Sequence, residues 1–216
     1  MFMTRFEINP RRRAAREILS SAQRMHAAVS AGFSESRADA VDGRILWRLD
    51  EGRYDVVLYV VSPDEPDLTH LVESIGRSTY PAQSRDYGPF LDKLAAGERW
   101  AFRLRANPVH NVRGPDGGRG KRVGHVTADQ QTAWFHRQAQ RHGFHVVTGS
   151  ADVPDLALRD RRTQRFVRRN RTVTLSTAVV EGTLQVEDPQ LLRAALVGGI
   201  GPGKGYGCGL LTLAAP

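Results

Sequence analysis

A single lysine, Lys204, stands among seven glycines in residues 198–211. Bare glycine backbone takes positive φ and can approach another surface closely. A loop of exposed N–H groups with one lysine is suited to cradle a phosphate. Residues 198–204 also match the spacing of a nucleotide-binding P-loop, G-x-x-x-x-G-K. The match fails at Gly205, where Ser or Thr should hold Mg²⁺, and the run follows a helical pattern where a P-loop follows a strand. Gly201, Gly203 and Lys204 are therefore read as contacts to the phosphates of a nucleic acid, with no nucleotide cofactor expected.

A second cationic feature is the run 159–171, which holds Arg159, Arg161, Arg162, Arg165, Arg168, Arg169 and Arg171 against Asp160 alone. A merely solvated loop would mix in glutamate and lysine, and this run has neither. Folded as a hairpin, it would form a basic ribbon able to follow phosphates along an A-form RNA stem. A third patch, 113–122, carries Arg113, Arg119, Lys121 and Arg122.

Proton transfer near neutral pH calls for histidine. Of the seven present, His26 lies on the first helical pattern, one residue past Met25. Taken alone, its position also suits a surface histidine. His142 and His145 straddle Gly143 and do not share a helical face as zinc ligands would. His125, beside Lys121 and Arg122, is placed to touch RNA. The lone cysteine, Cys208, excludes an intrachain disulfide and a cysteine zinc site, and no metal centre is expected.

Positioning elements follow from periodicity. Phe2, Thr4, Phe6 and Ile8 alternate as a strand. Asn9-Pro10 opens a helix with Ala15, Ile18, Leu19, Ala22, Met25, Ala28 and Val29 on one stripe and Gly32 as its stop. Strands at 44–50 and 54–62 make a hairpin, a weaker helix spans 66–76, and 78–89 reads as a linker. A second unit opens with a strand at 100–106, then the Gly-rich basic loop 109–122 and a helix at 128–142 with Ala133, Trp134 and Gln138 inward. A strand starts at Phe144. Strand-like segments fill 156–187, with a turn at Glu181-Gly182. Asp188-Pro189 caps a last helix with Leu191, Leu192, Ala195 and Leu196 buried, and a final strand ends the chain.

Each half reads β-α-β-β-α-β, an α+β class of two tandem ferredoxin-like domains, 1–95 and 96–216. Arginine and lysine total 31 against 23 acidic residues, a net charge of +8. That balance favours a polyanionic partner such as RNA. No segment approaches the ~20 apolar residues of a membrane span, so a cytoplasmic protein with no membrane partner is expected.

Taken together, several pieces resemble the CasE family, the CRISPR RNA-processing endoribonucleases of type I-E systems. They are the opening strand and helix with Asn9-Pro10 and Met25-His26, the strand Ile45-Leu46-Trp47-Arg48-Leu49, the run Phe102-Arg103-Leu104-Arg105-Ala106-Asn107-Pro108, the triplet Gly120-Lys121-Arg122 and the glycine loop. The resemblance implies metal-independent cutting of a CRISPR repeat RNA hairpin at the base of its stem. The product ends would be a 2′,3′-cyclic phosphate and a 5′-hydroxyl, with the guide RNA kept in a multisubunit type I-E complex. It also implies that His26 is catalytic, that Lys121 stabilises transition-state charge, and that the arginine hairpin reads the stem. Relatives can carry a tyrosine three positions before this histidine. Here that position is Gln23, which can position a phosphate but cannot be a general acid. Either His26 works without that helper or Lys121, Ser20 or Ser21 fills in. The alternative is a non-catalytic RNA-binding module of two RNA-recognition-like domains, which should show aromatic stacking motifs on its central strands. The sequence has none.

Overall fold

One four-stranded and one five-stranded antiparallel sheet, each containing the ferredoxin-like strand order, organise the chain. The structure, a computed structural model, describes residues 1–33, 44–77, 80–112, 121–149, 152–168 and 171–216. By its contacts the chain divides into one unit of Met1–Lys93, Val197–Gly199 and Lys204–Leu210, and a second of Leu94–Leu196, Ile200–Gly203 and Leu211–Pro216.

In the first unit, β1 (Phe2–Ile8), β2 (Leu46–Glu51), β3 (Val56–Ser62) and β4 (Gln83–Asp86) lie in the order β2-β3-β1-β4. The alternation read in the first strand is the burial pattern observed, with Thr4, Phe6 and Ile8 inward. Phe6, Ile8, Trp47, Leu58 and Val60 pack with Met25, Val29, Leu71 and Ile75 from the helices. Strand β4 falls inside the segment read as a linker. It is a polar edge strand, Gln-Ser-Arg-Asp, mostly exposed, so it carries no apolar alternation to betray it. A short helix, α4 (Gly88–Lys93), follows it, and α3 (Thr69–Ile75) precedes it.

The helical stripe after β1 predicts one helix, but the structure has two, α1 (Arg13–Leu19) and α2 (Ala22–Ser30). Asn9 is not the helix N-cap; its Oδ1 accepts from the Arg11 N–H in the turn before α1. The break falls at Ser20-Ser21, where Ser21 is extended (φ −144°, ψ 122°). Ser20 Oγ donates to the Glu17 carbonyl at 2.8 Å, the local bond by which serine competes with helix continuation. His26 therefore rides on a separate nine-residue helix pinned by the buried Met25 and Val29.

The second unit repeats the pattern. Strands β5 (Arg99–Ala106), β8 (Phe144–Val146), β10 (Arg171–Val186) and β11 (Leu211–Ala214) run in the order β11-β5-β10-β8. Helices α5 (Ala128–Arg141) and α6 (Pro189–Gly198) complete the motif. Phe135 stacks on Phe102 at 5.3 Å between ring centroids and leans on Phe144 at 6.1 Å. In α5 the buried positions are Gln131, Trp134, Phe135 and Ala139, so the stripe is rotated from the Ala133 and Gln138 reading. In α6, Asp188 caps as expected, its Oδ1 accepting from the Gln190 N–H at 2.9 Å, but Leu191 faces solvent.

Two additions extend this motif. Strands β6 (Val109–Val112) and β7 (Lys121–Gly124) form a hairpin at the ends of the basic loop. Strand β9 (Leu156–Arg168) pairs along β10 to make a long arm. Glu181-Gly182 is no turn; it runs within β10. A side chain at residue 182 would meet the Asp155 carbonyl oxygen, so only glycine admits that close approach.

Candidate active site and nucleic-acid interface

His26 is half-buried on α2, with Gln23 one turn earlier and exposed. Against its ring lies the bare backbone of Gly205. A methyl placed there would sit 3.8 Å from both Cε1 and Nε2. Gly205 is the centre of a 3-10 turn, Lys204–Tyr206, in the glycine loop. The sequence reading put the whole loop in the second domain, but Lys204–Leu210 groups with the first unit, where His26 is.

Two contacts hold that segment. Gly207 has φ +76°, and a Cβ there would lie 2.6 Å from the Trp47 ring, so a glycine is required on two counts. Trp47 is itself buried. Arg48 Nη1 donates to the Leu210 carbonyl at 3.1 Å. That guanidinium is 2% exposed, forks onto the Asp50 carboxylate through Nε at 2.8 Å and Nη2 at 2.9 Å, and lies over the Tyr59 ring. Sequence reading missed Arg48 as a loop anchor. Its one visible signal was a lone arginine inside the apolar run 45–49. We predict that Gly207→Ala costs about 1–3 kcal/mol from strain and overpacking, read as a lowered urea midpoint. An unchanged midpoint would show that the loop does not depend on this approach.

Lys204 is half-buried, with its Cε 3.1 Å from where a Gly199 Cβ would be and the Leu46 side chain on the same spot. Burial first, and then the charge of Arg44, hold its ammonium below the usual lysine range. Arg44 was not singled out from sequence.

In the second unit, Lys121 and Arg122 are exposed on β7, opposite Val112 and Asn111 of β6. Arg122 joins Val109, His110, Asn111, Gly201 and Pro202 in lining an open groove of about 380 Å³. Gly201 (φ +75°) presses on Trp134, and Gly203 also has positive φ (+89°). His125 packs on His110 at 4.6 Å, and burial, His110 and Arg137 together lower its pKa. His145 pairs with Glu187 at 2.8 Å. Arg113, Arg119 and Arg169 lie outside the described residues.

The arginine run does form an antiparallel hairpin, but its arginines do not simply alternate. Between Thr177 and Val179 the register shifts, so that Asp160 and Arg161 together oppose Ala178. Asp160 takes φ +44°. A bulge of this kind re-aims the side chains beyond it. Arg159, opposite Val179, and Arg162, opposite Thr177, therefore share one face, and Arg165, opposite Thr174, lies on the other. Arg159 pairs with Glu181, which Arg103 also approaches at 3.6 Å. Arg162 is 3.9 Å from Asp160. Arg161 in the bulge donates to Gln131 Oε1 at 2.9 Å and to the Val126 carbonyl at 2.6 Å, tying the hairpin to α5. Arg165 is exposed and has no partner among the described residues. Arg168 and Arg171 pair in register at the far end of the arm. Among the described residues no helix is long and apolar enough to cross a membrane.

This arrangement puts an imidazole beside an open, cationic backbone loop in one unit and a long basic arm on the other. A family model described as CRISPR associated protein matches residues 1–215. The chain is 33% identical over 221 residues to the CRISPR-associated endoribonuclease Cse3 of Thermus thermophilus, covering 99% of this chain and 100% of that one. It is also 33% identical over 129 residues to the CRISPR system Cascade subunit CasE of Escherichia coli K12, covering 56% of this chain and 61% of that one. Among solved structures, Cse3 bound to a 19-nucleotide RNA matches with a TM-score of 0.83 at 31% identity, over 99% of this chain and 100% of that chain.

Proposed function

Because this chain belongs to the CasE family of CRISPR-associated endoribonucleases, we propose that it binds the hairpin of CRISPR repeat RNA and cuts it without metal at the base of the stem. It then retains the mature guide RNA as a subunit of a type I-E surveillance complex in the cytoplasm. Cleavage uses the RNA's own 2′-hydroxyl. The 2′-oxygen forms a bond to phosphorus, the P–O5′ bond breaks, and the fragments end in a 2′,3′-cyclic phosphate and a 5′-hydroxyl. One proton must leave the 2′-oxygen and one must reach the 5′-oxygen. Charge building on the phosphoryl oxygens needs nearby cations.

The observation that carries this reading is the His26 ring set against Gly205, next to Lys204. Glycine there leaves room for a phosphodiester to approach the imidazole. His26 is the proton-transfer group, Gln23 a hydrogen-bonding contact, and Lys121 a cation for the phosphate. Gly201, Gly203 and Arg122 contact the backbone of the RNA, as would Arg113 and Arg119. The arm of residues 156–186 holds the stem. A non-catalytic module would present aromatics on its central strands. Here Phe6 and Phe102 are buried and Tyr59 lies under Arg48.

The test is cleavage of a labelled repeat hairpin in EDTA, with the product ends mapped. Cutting at one phosphodiester at the stem base, with a cyclic phosphate, is expected. Binding without cutting would leave only the RNA-binding module. Within the arm, Arg165→Ala should reduce the slope of log K against log[salt] by about 1 with stability unchanged, as removal of one phosphate contact does. Arg161→Ala should instead destabilise the fold by about 1–3 kcal/mol, because it strips a partner from the buried Gln131 amide. Equal salt slopes for wild type and Arg165→Ala would remove Arg165 from the RNA contact.

A further inference from the structure

Cleavage needs a proton donor for the 5′-oxygen as well as a base for the 2′-hydroxyl, and α2 offers one titrating group. Gln23 does not ionise, and Arg24, which donates to the Glu17 carbonyl at 3.2 Å, stays protonated. Ser20 Oγ already donates to the same carbonyl. A second donor must come from what packs against α2, and the glycine loop does so at Gly205.

The chain has three lysines, Lys93, Lys121 and Lys204. Lys204 adjoins Gly205 directly, its Cα about 3.8 Å away across one peptide. Its stem is held over Gly199 beside Leu46. Among the described residues neither the Lys204 ammonium nor the Arg44 guanidinium has an acidic or hydrogen-bonding partner. Two cations close enough to feel each other, one half-buried and neither neutralised by a described residue, make a site for an anion. Lys204 and Arg44 are also in the same unit as His26.

We propose that Lys204 is the general acid of the cleavage step and that Arg44 holds the scissile phosphate beside it. The proposal rests on His26 being the other proton-transfer group. Neutral His26 takes the 2′-hydroxyl proton as the 2′-oxygen's electron pair forms the new bond to phosphorus. The P–O5′ bond breaks with its electron pair going to O5′, and the Lys204 ammonium delivers a proton there. The enzyme is left with an imidazolium and a neutral amine, and one proton passing between them through solvent restores both. Burial and Arg44 suit Lys204 to this task, since an ammonium shifted toward neutrality gives up its proton more readily. Arg44 remains charged throughout.

The experiment compares two repeat hairpins in single turnover, one all-oxygen and one with sulfur replacing O5′ at the scissile bond. Sulfur leaves as a thiolate and needs no proton. Lys204→Met should cut the oxygen substrate at least ~100-fold more slowly, yet cut the sulfur substrate near the wild-type rate. Lys204→Arg, which keeps charge and reach but holds its proton, should bind the hairpin normally and show the same split. His26→Ala should be slow on both. Equal slowing of Lys204→Met on both substrates would overturn the proposal, since that marks charge stabilisation. So would a full rate on the oxygen substrate, or sulfur rescue of His26→Ala, which would make His26 the acid. Full activity of His26→Ala on the oxygen substrate would sink the underlying reading of His26 instead, whatever Lys204 does.

Discussion

Replacing His26 with alanine is expected to slow single-turnover cleavage of the repeat hairpin by ~100-fold to ~10,000-fold while leaving binding intact, the range for losing a general acid or base. The two effects separate because of how the helix is held. Met25 and Val29 bury the neighbouring face of α2 and keep it seated on the sheet. The imidazole is only half-buried, so truncating it leaves no core cavity. The Gly205 backbone and the basic arm remain to bind RNA. The variant should unfold at the same urea concentration as wild type, and gel shift should give the same affinity for the hairpin. A variant that cuts at the wild-type rate would remove His26 from the chemistry. A variant that loses binding and cleavage together would make it a contact residue.

Arg48→Met should cost about 1–3 kcal/mol, because it removes a buried guanidinium that bonds both the half-buried Asp50 carboxylate and the Leu210 carbonyl. Asp50 would lose both of its bonds to the guanidinium, and the Leu210 carbonyl would lose its donor. The Tyr59 ring would also lose the cation above it. The midpoint of urea unfolding should fall accordingly. Activity should fall as well, because Leu210 ends the segment that carries Lys204 and Gly205 past His26. Part of the penalty belongs to the Asp50 carboxylate, which loses the guanidinium fork. Changing Asp50 to Leu in the same chain should therefore recover that part of the stability, as apolar replacement of buried pairs does. Recovery of stability without recovery of cleavage would identify the Leu210 bond as what positions the loop. A single variant within about 1 kcal/mol of wild type would refute the anchoring role, since that is no more than an exposed pair contributes.

Two kinds of misreading share a physical origin. The sequence of strand β4 reads as a linker because an exposed edge strand needs no apolar side chains, only backbone partners, which β1 supplies. The arginine hairpin was legible as a hairpin but not in its faces. Alternation holds only while the register does, and one bulge at Asp160-Arg161 turns Arg161 into a tie to α5 and splits Arg159 from Arg165. A bulge is a matter of pairing between strands, and pairing leaves little trace in either strand alone.

What the sequence by itself determined is several of the principal strands and helices and the chemical types available. Period-two alternation marked β1 and β5, a helical stripe marked the helix bearing His26, and the Asp188 cap marked α6. The charge pointed to a polyanion, and the family resemblance named the activity. What only the tertiary structure decided is which of these groups meet. Arg48 and the glycine loop are separated by more than 150 positions of chain, and their contact at 3.1 Å depends on the burial of a guanidinium between β2 and Leu210. His26 and Gly205 come together because Gly207 alone can lie on Trp47 with positive φ. Local sequence governs torsions and faces; long-range packing, which sums many small contacts across distant segments, governs which faces touch.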